Sequence, residues 1–197
     1  MILGCSNLTG RYWIGSLWYY RDPNEAPSVE KALTGVDFDN GLVDGFFIDD
    51  KSIIVACDNG AVEQVRLSFS DESDPAASYF FLERTASAHE HDDLITGLVM
   101  ADEKYITASY DRSIVVLDKS ALKLVSRVQD AHSDLVNHVA VNPSNLNIFS
   151  TAGNDGRVPI WDLRTLNADS STCQPCKFQH SLRNNVFCQG YYLRYLR

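Results

Sequence analysis

The chain has 197 residues, 45% of them hydrophobic, a formal charge of −9 and five cysteines. That composition excludes disorder and supplies enough apolar mass for a globular core. The acidic balance argues against direct nucleic-acid binding, and no apolar run approaches the roughly 20 residues of a membrane span. An odd cysteine count without regular spacing suits a reducing compartment. The start lacks the basic residues of a secretory signal, so Asn7-Leu8-Thr9 reads as a turn rather than a glycosylation site.

Taken along the chain, four segments share one pattern. Residues 1–20 read as the second half of a four-stranded unit, closed by Trp18 and with no opening strand before it. Residues 42–67 form the next unit, with Asn59-Gly60 at a hairpin turn and Val65 where a tryptophan would close the unit. Residues 68–78 read as an inserted polar loop, because Asn59 and Asp111 are 52 positions apart. In residues 91–119, His91, Thr107 and Asp111 recur in order, and Leu117-Asp118 takes the closing position. Residues 131–164 hold the complete form: His132, Thr151, Asp155 and Trp161-Asp162. Strands are expected over 135–141, 148–151 and 157–163, with turns at 142–145 and at Asn154-Asp155-Gly156. The two histidines are 41 positions apart and the two aspartates 44, near the 40–45-residue period of WD repeats.

The reading is therefore an all-β, incomplete WD-repeat β-propeller of about three and a half four-stranded blades over residues 1–164. An irregular, basic, cysteine-containing tail follows over 165–197. The charge shift supports that boundary: residues 71–93 are strongly acidic, whereas Arg164, Lys177, Arg183, Arg194 and Arg197 face only Asp169. Propellers close with typically 4–8 blades, so the chain looks partial. Within a blade, Asp155 is expected to accept from His132, and His132 to bridge toward Thr151 and the Trp161 indole. His91, Thr107 and Asp111 repeat the set, and Trp18 takes the indole position of the first unit. Such a network buries polar groups without leaving them unpaired.

Other chemistries are expected to be absent. Cys173, Cys176, His180 and Cys188 are zinc-ligand types, but their spacing fits no common knuckle. The run His89-Glu90-His91-Asp92-Asp93 is rich in ligand types, yet His91 is claimed by the blade. Asp130, His132 and Ser133 lack the nucleophile elbow and oxyanion loop of a hydrolase. No catalytic residue, metal or cofactor is expected. Phe46, Phe47, Phe80, Phe81 and Phe149 are expected to fill inter-sheet space, and the acidic residues 71–93 to form a disordered, solubilising loop rather than to attract cationic substrate tails.

A narrower resemblance rests on the string ILGCSNLTGRYWIGSLW at 2–18, on Arg21-Asp22-Pro23 and Ala26-Pro27, and on residues 54–63, 90–93 and 131–132. These resemble the methylosome WD-repeat subunits, propeller partners of the type II protein arginine methyltransferase. The resemblance spans about residues 2–164. It implies a non-catalytic scaffold, in cytoplasm and nucleus, that docks on the enzyme's N-terminal barrel. It also implies that the scaffold helps present Arg-rich substrates such as histones and Sm-type splicing proteins, and that Trp13 and Arg11 contact the enzyme. Trp18 lies five positions from Trp13, an odd step that puts the two on opposite faces of one strand.

Overall fold

The structure, a computed structural model, describes residues 1–9, 12–70 and 79–166. Its described strands form four antiparallel sheets, laid down in chain order. The first contains β1 (Ile2–Thr9), β2 (Tyr12–Tyr19) and β3 (Thr34–Phe38). The second contains β4 (Leu42–Phe47), β5 (Ser52–Cys57), β6 (Ala61–Phe69) and β7 (Phe80–His89). The third contains β8 (Ile95–Ala101), β9 (Lys104–Ser109), β10 (Ile114–Asp118) and β11 (Leu124–Val128). The fourth contains β12 (Val136–Val141), β13 (Ile148–Gly153) and β14 (Ile160–Asp162). Each is a meander in which chain neighbours pair. This is the arrangement of consecutive β-propeller blades of the WD type.

The sequence explains why these segments stack. Side chains alternate between the two faces of a strand, and here each inner face meets a different neighbour. Ile53 and Val55 of β5 pack with Leu17 and Phe38 of the first sheet, whereas Ile54 and Ala56 pack with Ile95, Tyr105 and Leu117 of the third. Tyr105 likewise faces the second sheet, while Ile106 joins Val139, Phe149 and Trp161 toward the fourth. Middle strands are consequently apolar on both faces, and β5 and β9 are buried almost throughout. The outermost β7 alternates with solvent-facing polar residues. Burying one such Ile or Val side chain is worth about 1.5–3 kcal/mol, so stacking supplies the cohesion that a lone sheet lacks. The first strands line one side of the stack: β4 packs beside β8, and β8 beside β12.

Several details depart from the sequence expectation. Two sheets have four strands and two have three among the described residues. β3 continues the first sheet by pairing with β2 across two short 3-10 turns, Pro23–Glu25 and Val29–Lys31. Of the expected loop over 68–78, Ser68 and Phe69 belong instead to β6, and residues 71–78 lie outside the described residues. The expected strand over 157–163 shortens to Ile160–Asp162, since Pro159 has no N–H for the ladder. Phe149 is fully buried and Phe46, Phe47 and Phe80 are half-buried, but Phe81 is exposed. Leu163 and Leu166 both enter the core between the third and fourth sheets.

One register feature recurs. The first strands of the second, third and fourth sheets each carry a bulge, between Leu42 and Asp44, Ile95 and Gly97, and Val136 and His138. Each inserts one extra residue (Val43, Thr96, Asn137) and bends the strand as it leaves the same edge. Thr96 uses its bulge to donate to the carbonyl of Val136, tying the third sheet to the fourth at 2.8 Å.

The hairpin turns between second and third strands need left-handed backbone. Gly60 and Gly156 supply it at φ +89° and +74°, but Arg112 occupies that position at φ +69°. An L-residue there is strained by roughly 1–2 kcal/mol. Arg112→Gly is therefore expected to raise stability by up to about 1 kcal/mol, once glycine's greater unfolded-state freedom offsets part of the gain. The Arg112–Asp130 bridge it removes is exposed on both sides and worth little. A higher urea midpoint would show this; a lower one would mean that the turn is unstrained.

Candidate functional site

In the fourth sheet, His132 follows β11 and precedes β12, so it sits on the connection between blades. Its Nδ1 lies 3.0 Å from Asp155 and its Nε2 2.8 Å from the Thr151 hydroxyl. The Trp161 indole N–H donates to the same hydroxyl at 2.9 Å. With its proton on Nδ1, His132 donates to Asp155 and accepts from Thr151, and every polar atom of the chain of bonds is used. Thr151 is thus the junction: the indole reaches His132 only through it. Asp155 sits in the turn and also accepts from the backbone N–H groups of Ser133 and Arg157. Burial by itself would raise its pKa, but the bonds from His132, Arg157 and Ser133 hold it below the ordinary carboxylate value.

The third sheet repeats the set with a different supporting cast. His91 Nδ1 lies 2.9 Å from Asp111 and Nε2 2.8 Å from Thr107. Leu117 stands where Trp161 stands, so Thr107 receives no indole. Asp111 instead gathers the Ser113 hydroxyl at 2.7 Å, the Ser113 and Asp92 backbone N–H groups, and the Arg127 guanidinium at 3.3 Å. Burial opposes ionisation here too, yet His91 and Ser113 hold the carboxyl far below its usual range. Ser113 and Arg127 belong to this site and carry no sequence signal of their own; only folding brings β11 over the turn.

Trp18 is not part of such a set. Its register partner is Leu3, which places Cys5 where Thr151 stands in the fourth sheet. A thiol is a weak acceptor, and the indole donates instead to Ser16 at 2.9 Å. The ring lies over Gly35, where a Cβ would come within 2.6 Å of it. Arg11 and the side chain of Trp13 lie outside the described residues, as do Cys173, Cys176, His180 and Cys188.

The remaining candidates disperse. His89 meets the Asn59 carbonyl, Asp92 meets Arg127, and the Asp93 carboxylate accepts from the Leu94 N–H. Asp130 bridges Arg112 and is not paired with His132. Ser133 leans on Asp155. Among the described residues, no group of three His, Cys, Asp or Glu side chains is placed to hold a metal. Burial pushes the Cys57 thiol up to about 12, with Glu63 and Asp58 adding to the effect, so it is no nucleophile at neutral pH.

The meander also sorts charge by face. The edge bearing the His and Asp turns carries Asp39, Asp58, Glu90, Asp92, Asp93, Asp130 and Asp134 against Arg112, Arg127 and Arg157. The opposite edge mixes signs, with Asp49, Asp50, Asp102, Glu103, Asp118 and Asp162 beside Lys51, Lys104, Lys119, Lys123 and Arg164.

Stacked meanders, two of them closed by a His–Asp–Thr set and the last also by a Trp-Asp pair, define an architecture of the WD-repeat β-propeller type. Residues 123–162 match the family described as WD domain, G-beta repeat. It resembles the methylosome protein WDR77 of Xenopus laevis, at 34% identity over 166 residues, or 83% of this chain and 47% of that protein. It is also 40% identical to the WD repeat-containing protein 55 homologs of Drosophila erecta, over 63 residues, and of Drosophila persimilis, over 67. Those two matches cover 32% and 34% of this chain, and 12% and 13% of the relatives. The chain thus spans about half the length of the methylosome protein and a smaller share of the others.

Proposed function

We propose that the chain acts as a non-catalytic scaffold in a methylosome-like assembly. It docks a type II protein arginine methyltransferase and helps present Arg-rich substrates such as histones and Sm-type proteins, in cytoplasm and nucleus. The observation that carries this reading is its similarity to the methylosome protein over 83% of its length. The chemistry is compatible: the buried histidines and aspartates are committed to one another, which leaves them holding blades together rather than turning over a substrate. The enzyme contact is assigned to Trp13 and Arg11, at the junction of β1 and β2. A desolvated Trp anchor costs about 2 kcal/mol or more on truncation, so Trp13→Ala is expected to weaken binding roughly thirtyfold. Co-purification of the chain with the methyltransferase tests the reading. Capture by wild type and loss with Trp13→Ala support it, whereas undiminished capture would move the contact elsewhere and no capture at all would favour a WD scaffold of another complex.

A further inference from the structure

The turn between β5 and β6 differs from those of the next two blades in one functional group. Asn59 stands where Asp111 and Asp155 stand. Each accepts through Oδ1 from the backbone N–H two residues on: Ala61 at 3.1 Å, Ser113 at 2.8 Å and Arg157 at 3.0 Å. The Asn59 bond closes a small ring of atoms that includes the Gly60 nitrogen, so the side-chain amide and that nitrogen share one tight turn. Gly60, at φ +89°, has no Cβ to hinder approach to its nitrogen.

Two donors fall on the two carbonyls that a ring closure here would charge. The Ala61 N–H donates to the Asn59 side-chain carbonyl, and His89 Nε2 lies 2.8 Å from the Asn59 backbone carbonyl. A backbone carbonyl only accepts, so that nitrogen carries the proton and donates. Electron density drawn toward the Asn59 carbonyl acidifies the N–H of the same peptide unit, which is that of Gly60. This N–H is itself held by a long bond of 3.3 Å to the Cys57 carbonyl.

We infer that Asn59-Gly60 is a self-modification site at which the protein turns an amide into a carboxylate without an enzyme. The Gly60 nitrogen gives its proton to solvent and attacks Asn59 Cγ. The new C–N bond closes a five-membered succinimide, the Cγ–Nδ2 bond breaks, and Nδ2 takes a proton and leaves as ammonia. Water then adds to one of the two ring carbonyls and opens it, to isoaspartate or to aspartate. Asp111 and Asp155 hold the same place as carboxylates, whose charge repels a nucleophile, so the reactive form belongs to the second blade. Aspartate restores the residue type of the neighbouring turns. Isoaspartate instead lengthens the main chain in a turn without slack, because even a Cβ on Gly60 would collide with the His91 carbonyl. That product therefore pushes on the histidine that anchors the polar set of the third blade. The inference goes beyond the scaffold reading and does not rest on it.

The test ages the full 197-residue chain in neutral buffer and follows amide loss and isoaspartate by peptide mass spectrometry. The chain's other Asn-Gly pair, Asn40-Gly41, is the internal reference. Among the described residues Asn40 does not receive this pair of donors. Conversion is expected to be at least about tenfold faster at Asn59 than at Asn40, a donor on a developing charge being worth more than that in a drier site. The difference should disappear in concentrated urea, where both pairs lose their surroundings. His89→Ala, at an exposed position, should slow Asn59 severalfold and leave Asn40 unchanged. Equal rates at the two asparagines in the folded chain, a faster rate at Asn59 in urea, or an undiminished rate in His89→Ala would overturn the assignment.

Discussion

Replacing Trp161 by alanine is expected to destabilise the chain by about 3–5 kcal/mol, the range for a buried Trp or Phe cut to alanine. Three losses combine. The indole is 3% exposed in the core between the third and fourth sheets, so truncation leaves a cavity that two sheets would have to close. It also stacks on Phe149, with centroids 6.3 Å apart and planes 19° apart. Finally, the Thr151 hydroxyl loses its donor in a site without other partners for that lone pair. Trp161→Phe keeps most of the apolar volume and loses only the donor, so its cost should be nearer 1 kcal/mol. Urea denaturation of the three proteins measures the difference. A shift below 1 kcal/mol for the alanine variant would mean that the fourth sheet does not depend on this packing. Against a typical total of 5–15 kcal/mol, the expected loss leaves a substantial unfolded population.

The second large effect falls on Asp111. Asp111→Ala removes one acceptor that serves His91, Ser113, Asp92 and Arg127 at once. Stranding the buried His91 and Ser113 donors, and taking one of two carboxylates from the partly exposed Arg127 guanidinium, is expected to cost about 3 kcal/mol. Its pH dependence has a definite sign. Asp111 and Asp155 both sit below the ordinary carboxylate range when folded. The unfolded chain, with carboxyls near about 3.9, therefore binds protons that the folded chain does not. Their contribution is complete above that value and is lost as pH falls through it toward the folded pKa values. The wild-type urea midpoint should stay level from neutral pH to about pH 5 and decline below about pH 4. Asp111→Asn, which cannot titrate, should start lower and decline less steeply; a parallel decline would place the acid sensitivity in other carboxylates.

Much of this was legible in the residues. His132, Thr151, Asp155 and Trp161 are short-range signals, set by a hairpin turn and by a fixed period, and that pattern carries its own physical meaning. The same holds for Gly60 and Gly156, whose backbone angles only glycine adopts without strain. Other features left weaker traces. Trp18 looked like another indole of the same kind, but the outcome hung on its register partner on β1, and Cys5 in the threonine place changed the bond. β3 carries no turn signal as plain as Asn59-Gly60, because its pairing with β2 spans the intervening 3-10 turns. Pro159 shortened β14 where hydrophobicity alone suggested a longer strand.

The linear chain thus determined the kind of sheet unit, its period and the polar sets that close two of the blades, because those depend on spacing within about forty residues. Tertiary structure alone decided which face each strand offers to which neighbour, how Arg127 reaches Asp111 and where the acids gather. Each of these arises when segments distant in sequence are brought edge to edge, and register between strands is an outcome of packing that no single segment encodes.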